Sequence, residues 1–126
     1  MIQKALFLVF ITIFFSNISC FRYTETWINF TNANCVITVA IEGNYIWAGT
    51  TGGVVKWNIK DGEYIKFTTA DGLVDNVVLS IAIDSLGNRW FGTSEGISRF
   101  DDTNWTSYPN DGNNVNSIAT DSEGNI

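Results

Sequence analysis

The sequence predicts an all-β chain assembled from repeated four-stranded antiparallel sheets. Three observations carry that expectation. The region after Cys20 repeats itself with a period of roughly 40 residues, the length of a four-stranded repeat unit. Within each period, short apolar runs rich in Val, Ile and aromatic residues alternate with turns built on Gly, Asn, Asp and Ser. No long stretch after Cys20 carries the helical period.

The chain opens with an export address. Residues 1–20 read MIQKALFLVFITIFFSNISC. Lys4 supplies the positive start, Ala5 to Phe15 is an uninterrupted apolar run, and Ser16, Asn17, Ile18 and Ser19 form a small and polar exit. Such a run has the length of a signal-peptide core and is too short to span a bilayer well. Residues 1–20 are therefore assigned as a signal peptide and residues 21–126 as an incomplete repeat region. Ser19 followed by Cys20 resembles the end of a bacterial lipoprotein signal, where Cys20 would be the lipidated first residue; Asn17 stands where that signal usually carries Leu. Simple secretion with cleavage near Ser19 or Cys20 is the other reading, and the two stay open. Cys35 is the second of 2 cysteines. With Cys20 lipidated, Cys35 is a small buried hydrophobe. With Cys20 a thiol, a Cys20–Cys35 disulfide can form in an oxidising compartment.

The repeat begins with an outlying piece. Trp27-Ile-Asn-Phe30 corresponds to Tyr64-Ile-Lys-Phe67 and to Trp105-Thr-Ser-Tyr108. The first copy runs from Asn34, and in it Trp47, Gly49, Thr50 and Gly53 return in the second copy as Trp90, Gly92, Thr93 and Gly96. Trp57 returns as Phe100. The second copy divides into runs at Val77 to Ile83, Arg89 to Thr93, Ile97 to Phe100 and Asn104 to Tyr108. The first of these is mostly apolar, as an inner strand buried on both faces would be. Turns fall at Ser85 to Asn88, Ser94 to Gly96 and Asp101 to Thr103, and Asp111-Gly112 opens the passage onward as Asp71-Gly72 did before it. A third copy, Val115 to Ile126, matches Val78 to Arg89 position by position and includes Asp121 and Gly124 where the second has Asp84 and Gly87. The residue following Ile126 is expected to be a Trp equivalent to Trp90.

Sheets of this size repeating at this period are the blades of a β-propeller. The expected architecture is a partial β-propeller of about two and a half four-stranded blades, against about four for a closed ring. The motif residues have structural duties in it. Trp47 and Trp90 fill the space between blades. Gly49 and Gly92 stand where a side chain would collide with the adjacent sheet. Asp84 and Asp121 accept hydrogen bonds from the turn that follows them. As metal ligands these aspartates are a poor fit, since their spacing does not reproduce an alternating carboxylate loop.

Asp84-Ser-Leu-Gly-Asn-Arg-Trp-Phe-Gly-Thr-Ser-Glu-Gly-Ile-Ser-Arg-Phe-Asp101 resembles the repeat of the two-component regulator propellers. That repeat reads roughly Asp-x-x-Gly-x-x-Trp-x-Gly-Thr-x-x-Gly-Leu-x-x-Tyr after an Asn-x-Val-x-x-Ile strand, and Asp71-Gly-Leu73 resembles the Gly-Leu that introduces each copy. The resemblance covers Trp27 to Ile126. The first copy departs from it: it lacks the Asp, with Glu42 nearby, and its hairpin turn is shorter. The resemblance implies an exported sensing or binding module, the extracytoplasmic sensor part of a two-component regulatory system and the N-terminal part of a longer protein. Its implied partners are further blades of the same protein and a small-molecule or glycan ligand. It would stand in the periplasm, on the outer membrane or outside the cell. The motif residues hold the blade and name no ligand-binding residue.

Composition narrows the alternatives. The 126 residues carry a net charge of −6 and no His. An acidic surface argues against nucleic acid, and membrane contact is confined to the signal or a lipid anchor. Without His there is no ordinary general base at neutral pH, so a Ser-His-Asp or Cys-His site cannot be built from these residues alone. No enzyme activity, cofactor or metal is expected of this chain. The alternative readings are a propeller lyase or glycoside hydrolase whose catalytic residues lie beyond residue 126, or a surface scaffold lipoprotein. The lyase reading has one support: the Asp84 to Phe91 run also resembles streptogramin-type lyase repeats. Tyr23, Trp27, Tyr45 and Trp105 are candidates for stacking on a glycan or for packing between blades.

Overall fold

The computed structural model describes residues 35–126. They form eight strands: β1 Val36–Glu42, β2 Tyr45–Thr50, β3 Gly53–Asn58, β4 Tyr64–Phe67, β5 Val78–Ile83, β6 Arg89–Thr93, β7 Gly96–Phe100 and β8 Trp105–Pro109. The strands make two four-stranded antiparallel sheets, ordered β1-β2-β3-β4 and β5-β6-β7-β8. Each sheet is a meander in which every strand pairs with its neighbour in sequence. This is the blade architecture expected, with strand ends shifted by one residue at Val77, Gly96, Asn104 and Pro109.

The two blades are copies in detail. Ala40 pairs with Trp47 and Ala82 with Trp90, fixing the same register in β1–β2 and β5–β6. Each inner strand carries a register irregularity at the same place, between Val36 and Thr38 and between Val78 and Ser80. The turn between the second and third strands is also built once and repeated. Thr50 donates its hydroxyl to the Gly53 carbonyl at 2.9 Å and accepts the Gly52 amide at 3.0 Å. Thr93 donates to the Gly96 carbonyl at 2.9 Å and accepts the Glu95 amide at 3.2 Å. Gly53 and Gly96 lie at φ +122° and +138°, a region that L side chains rarely adopt. A Cβ at either position would also meet backbone, the Phe67 carbonyl oxygen in one blade and the Tyr108 carbonyl oxygen in the other.

The core is the seam between the blades. Trp47, Val54 and Leu73 meet Val78, Phe91 and Phe100, with Phe67, Ile81, Ile83 and Trp105 packed around them. Trp47, Val78 and Phe91 are fully buried. Trp47 lies 6.2 Å from the Phe67 ring, 5.8 Å from Phe91 and 6.1 Å from Phe100. Such ring pairs each add about 0.5–1.5 kcal/mol beyond the area they bury. Leu73, on the connection between the sheets, plugs this core, and its neighbour Val74 donates its amide to the Ser98 hydroxyl at 2.8 Å.

Two expectations are corrected. The inner strands are not buried on both faces: β1 is half-buried throughout except for the exposed Ile41, and in β5 only Val78 and Ser80 are buried. Both strands are sheet edges, so their exposure includes an unpaired backbone edge in addition to the two side-chain faces. The third copy forms no strand among residues 111–126. Residues 115–120 are held instead by single bonds to the second blade. The Val115 amide donates to the Thr93 carbonyl at 2.8 Å, Ser80 Oγ donates to the Val115 carbonyl at 3.1 Å, and Thr120 Oγ1 donates to the Ile83 carbonyl at 3.3 Å.

Candidate functional site

The sequence repeats place their most constrained residues at the end of each inner hairpin and at the seam. Asp84 sits at the mouth of the β5–β6 hairpin and accepts four hydrogen bonds. Its Oδ1 takes the amides of Leu86 at 3.0 Å and Asn88 at 2.8 Å. Its Oδ2 takes Asn88 Nδ2 at 2.7 Å and the Trp90 indole N–H at 2.9 Å. Burial pushes the Asp84 carboxyl up, but the Trp90 and Asn88 hydrogen bonds outweigh it and hold the group below its ordinary value. Asp121 repeats the arrangement, with the amides of Glu123 and Asn125 at 2.9 and 2.8 Å and Asn125 Nδ2 at 2.8 Å. The Asn125 hydrogen bonds likewise hold the Asp121 carboxyl below its usual range. Gly87 and Gly124, at φ +83° and +84°, turn both hairpins alike.

In the first blade Glu42 occupies the Asp84 position. It pairs with Tyr45 across a turn one residue shorter, and it accepts the Trp47 indole N–H at 3.0 Å, as Asp84 accepts that of Trp90. No asparagine in that shorter hairpin satisfies the rest of the carboxylate. Arg89 of the second blade does so from across the seam: its Nε donates to Glu42 Oε2 and its Nη2 to Oε1, each at 2.8 Å. Arg89 Nη1 also pairs with Asp102 Oδ2 at 2.7 Å. The Arg89 side chain is 7% exposed and its guanidinium lies 5.2 Å from the Trp47 ring. Burial pulls the Arg89 pKa down, but Asp102 and Glu42 outweigh it and raise it above its ordinary value.

Lys56 completes the cluster. Its ammonium stands 3.9 Å from Asp102 Oδ1, 4.3 Å from the Tyr45 ring and 5.1 Å from the Trp47 ring. Asp102 lies at φ +77° in the β7–β8 turn, a conformation Asp tolerates better than most residues. In the second blade Arg99 takes the place of Lys56, 5.7 Å over Trp90 and bonded to Asn88 Oδ1 at 2.8 Å.

Each motif residue therefore has a structural duty. Trp47 is buried in the seam, whereas Trp90 is half-buried and stacks on Tyr108 at 6.2 Å. A Cβ at Gly92 would lie 2.6 Å from the Val115 carbonyl oxygen. Trp105 packs between the blades, 4.7 Å from Phe100 and 5.4 Å from Phe67. Tyr45 is 37% exposed beneath Lys56. Sequence reading missed Glu42 and Arg89 as a pair; the position of Glu42 before the shortened turn was the available signal. Among the described residues no three His, Cys, Asp or Glu side chains are grouped to hold a metal ion. Cys35 is disulfide-bonded. The signal peptide, lipidation of Cys20, Tyr23 and the Trp27 to Phe30 strand lie outside the described residues.

No protein-family model matches the chain, and no curated protein matches it. Solved structures do. One is the extracellular domain of BT3049 from B. thetaiotaomicron, described as a hybrid two-component system, with a TM-score of 0.64 and 26% identity over 82% of this chain and 15% of that one. Another is the extracellular domain of BT4673 from the same organism, described as a one-component system, with a TM-score of 0.64 and 26% identity over 70% of this chain and 13% of that one. A further structure of BT4673, described as a hybrid two-component system, gives 0.54 and 25% over 59% and 10%. The chain thus spans 15% or less of the length of these structures. The two sheets are β-propeller blades, and the resemblance to two-component regulator propellers holds in three dimensions.

Proposed function

We propose that the chain is the first part of an exported sensor propeller, acting in a two-component regulatory system by binding a small molecule or glycan outside the cytoplasm. The observation that carries this reading is the likeness to the extracellular domain of one such system, at 26% identity over 82% of this chain, and to that of a one-component system at 26% identity over 70%. The export-type leader at residues 1–20 supports it. So does the chemistry of the repeat: the motif residues are engaged in hairpin turns within a blade or in the seam between blades. Recognition therefore falls to loops that the repeat does not constrain, and the rest of the ring is supplied by further blades of the same protein. No catalytic role is assigned to this chain.

The test is genetic. The gene is deleted cleanly, and transcription is compared with the parent strain during growth on a panel of oligosaccharides. A sensor role predicts that one class of carbohydrate loses its induced gene set, while growth on simple sugars is unchanged. Identical transcription on every member of the panel overturns the reading. Reading the locus past codon 126 gives an independent check: the proposal expects an open frame that continues into Trp-x-Gly-Thr and further repeats.

A further inference from the structure

We infer that Glu42 and Arg89 make the seam a selective interface: the first blade accepts, on its Trp47 face, a sheet with arginine at the start of its second strand and rejects the other blades of this chain. The two hairpins satisfy their carboxylates in opposite ways. Asp84 is satisfied inside its own blade by Asn88 and Trp90. Glu42 keeps one partner at home, Trp47, and takes its remaining donors from Arg89. The residues equivalent to Arg89 are Ile46 in the first blade and Ile126 in the third copy, and neither can donate a hydrogen bond from its side chain. Asp102, which flanks Arg89, has Ile59 as its first-blade equivalent. A sheet of either other kind seated on the Trp47 face would take the two-pronged guanidinium away from the Glu42 carboxylate and bring no cation of its own to that position. Stripping a partly buried charge of its partner destabilises a seam, and a single polar pair that fixes register is the best-attested use of a buried ion pair. Two of the seam rings do not discriminate, because Trp57 and Tyr64 repeat in the first blade the ring positions of Phe100 and Trp105; Phe91 adds to the selection, since its first-blade equivalent is Ala48.

The test asks whether the preference for arginine over isoleucine at position 89 depends on Glu42. Four proteins are compared by urea unfolding followed by tryptophan fluorescence: the unaltered chain, Glu42→Gln, Arg89→Ile and the double variant. Glutamine keeps a carbonyl for the Trp47 indole and removes the charge. Arg89→Ile is expected to lower the folding equilibrium constant at least about tenfold more beside Glu42 than in the Glu42→Gln background, where only the loss of the Asp102 pair and the Trp47 contact remains. Failure of Arg89→Ile to fold, with recovery in the double variant, gives the same answer. An equal penalty in both backgrounds, or two unfolded proteins, overturns the inference: Arg89 would then be general packing rather than a selector.

Discussion

Val78 occupies the space that a side chain at residue 49 would need: a Cβ placed on Gly49 would stand 2.7 Å from Val78 Cγ1 and 2.6 Å from Thr38 Cγ2. Both neighbours are inner-strand residues, one from each blade, so Gly49 sets how closely the sheets approach. Gly49→Ala is expected to destabilise the chain by about 1–3 kcal/mol, the usual range for overpacking a filled core. Because Val78 Cγ1 makes half of the clash and alanine lacks that atom, Gly49→Ala combined with Val78→Ala should lose less stability than the two single changes summed. Equilibrium urea unfolding of the four proteins checks this. Additive losses would mean that the two positions do not compete for one space.

Acid should weaken the hairpins through Asp84. Its carboxyl is held below its ordinary value in the folded chain, so the unfolded chain binds the proton more readily. The stability this group contributes is complete above its unfolded pKa, about 3.9, and is lost as pH falls through the lower folded value. Asp121 and the exposed Asp101, the latter held down by the Asn104 and Thr103 amides, act in the same direction. Unfolding measured between neutral pH and the acid range should show a steeper decline in the unaltered chain than in Asp84→Asn, which begins less stable. Parallel declines would remove Asp84 from the account.

The Thr50 hydroxyl bridges the turn between the second and third strands, donating to Gly53 and accepting from Gly52. Thr50→Val keeps the shape and deletes both bonds, and about 1–2 kcal/mol should be lost. Thr50→Ser keeps the hydroxyl and should recover most of it. A thermal or urea series that ranks Ser with Val, rather than with Thr, would show that the methyl group matters more than the bonds.

Self-similarity made legible whatever is repeated locally. Trp47 and Trp90, Gly49 and Gly92, and the Thr-Gly turns announce themselves because each copy uses the same residue at the same offset. Asp84 could be read as a turn acceptor for the same reason, since all its donors lie between Leu86 and Trp90. Glu42 could not be read in full. Its turn is one residue shorter, which blurs the alignment, and two of its three side-chain hydrogen bonds come from a residue 47 positions away. Arg89 gives no sign in sequence, because the two other copies hold isoleucine there and the repeat imposes nothing. Charge pairing across a seam depends on which sheets meet in space, and periodicity does not encode that. The burial of the inner strands was overstated for a related reason: an apolar run reports the preference of its side chains, not which edge of the strand lacks a neighbour.

The Asp84 hairpin carries a further implication for how such an array can lengthen. Everything its carboxylate requires is contained in a stretch that ends at Trp90, and the Asp121 turn repeats the same bonds up to Asn125. A unit of this kind can be duplicated in the gene and function at once, whichever sheet lands beside it. The Glu42 hairpin has lost that independence. Because its carboxylate relies on Arg89, a copy of the first blade alone would arrive without its partner. Tandem duplication is therefore free to add or remove copies downstream of the first seam, while the leading pair must be passed on whole.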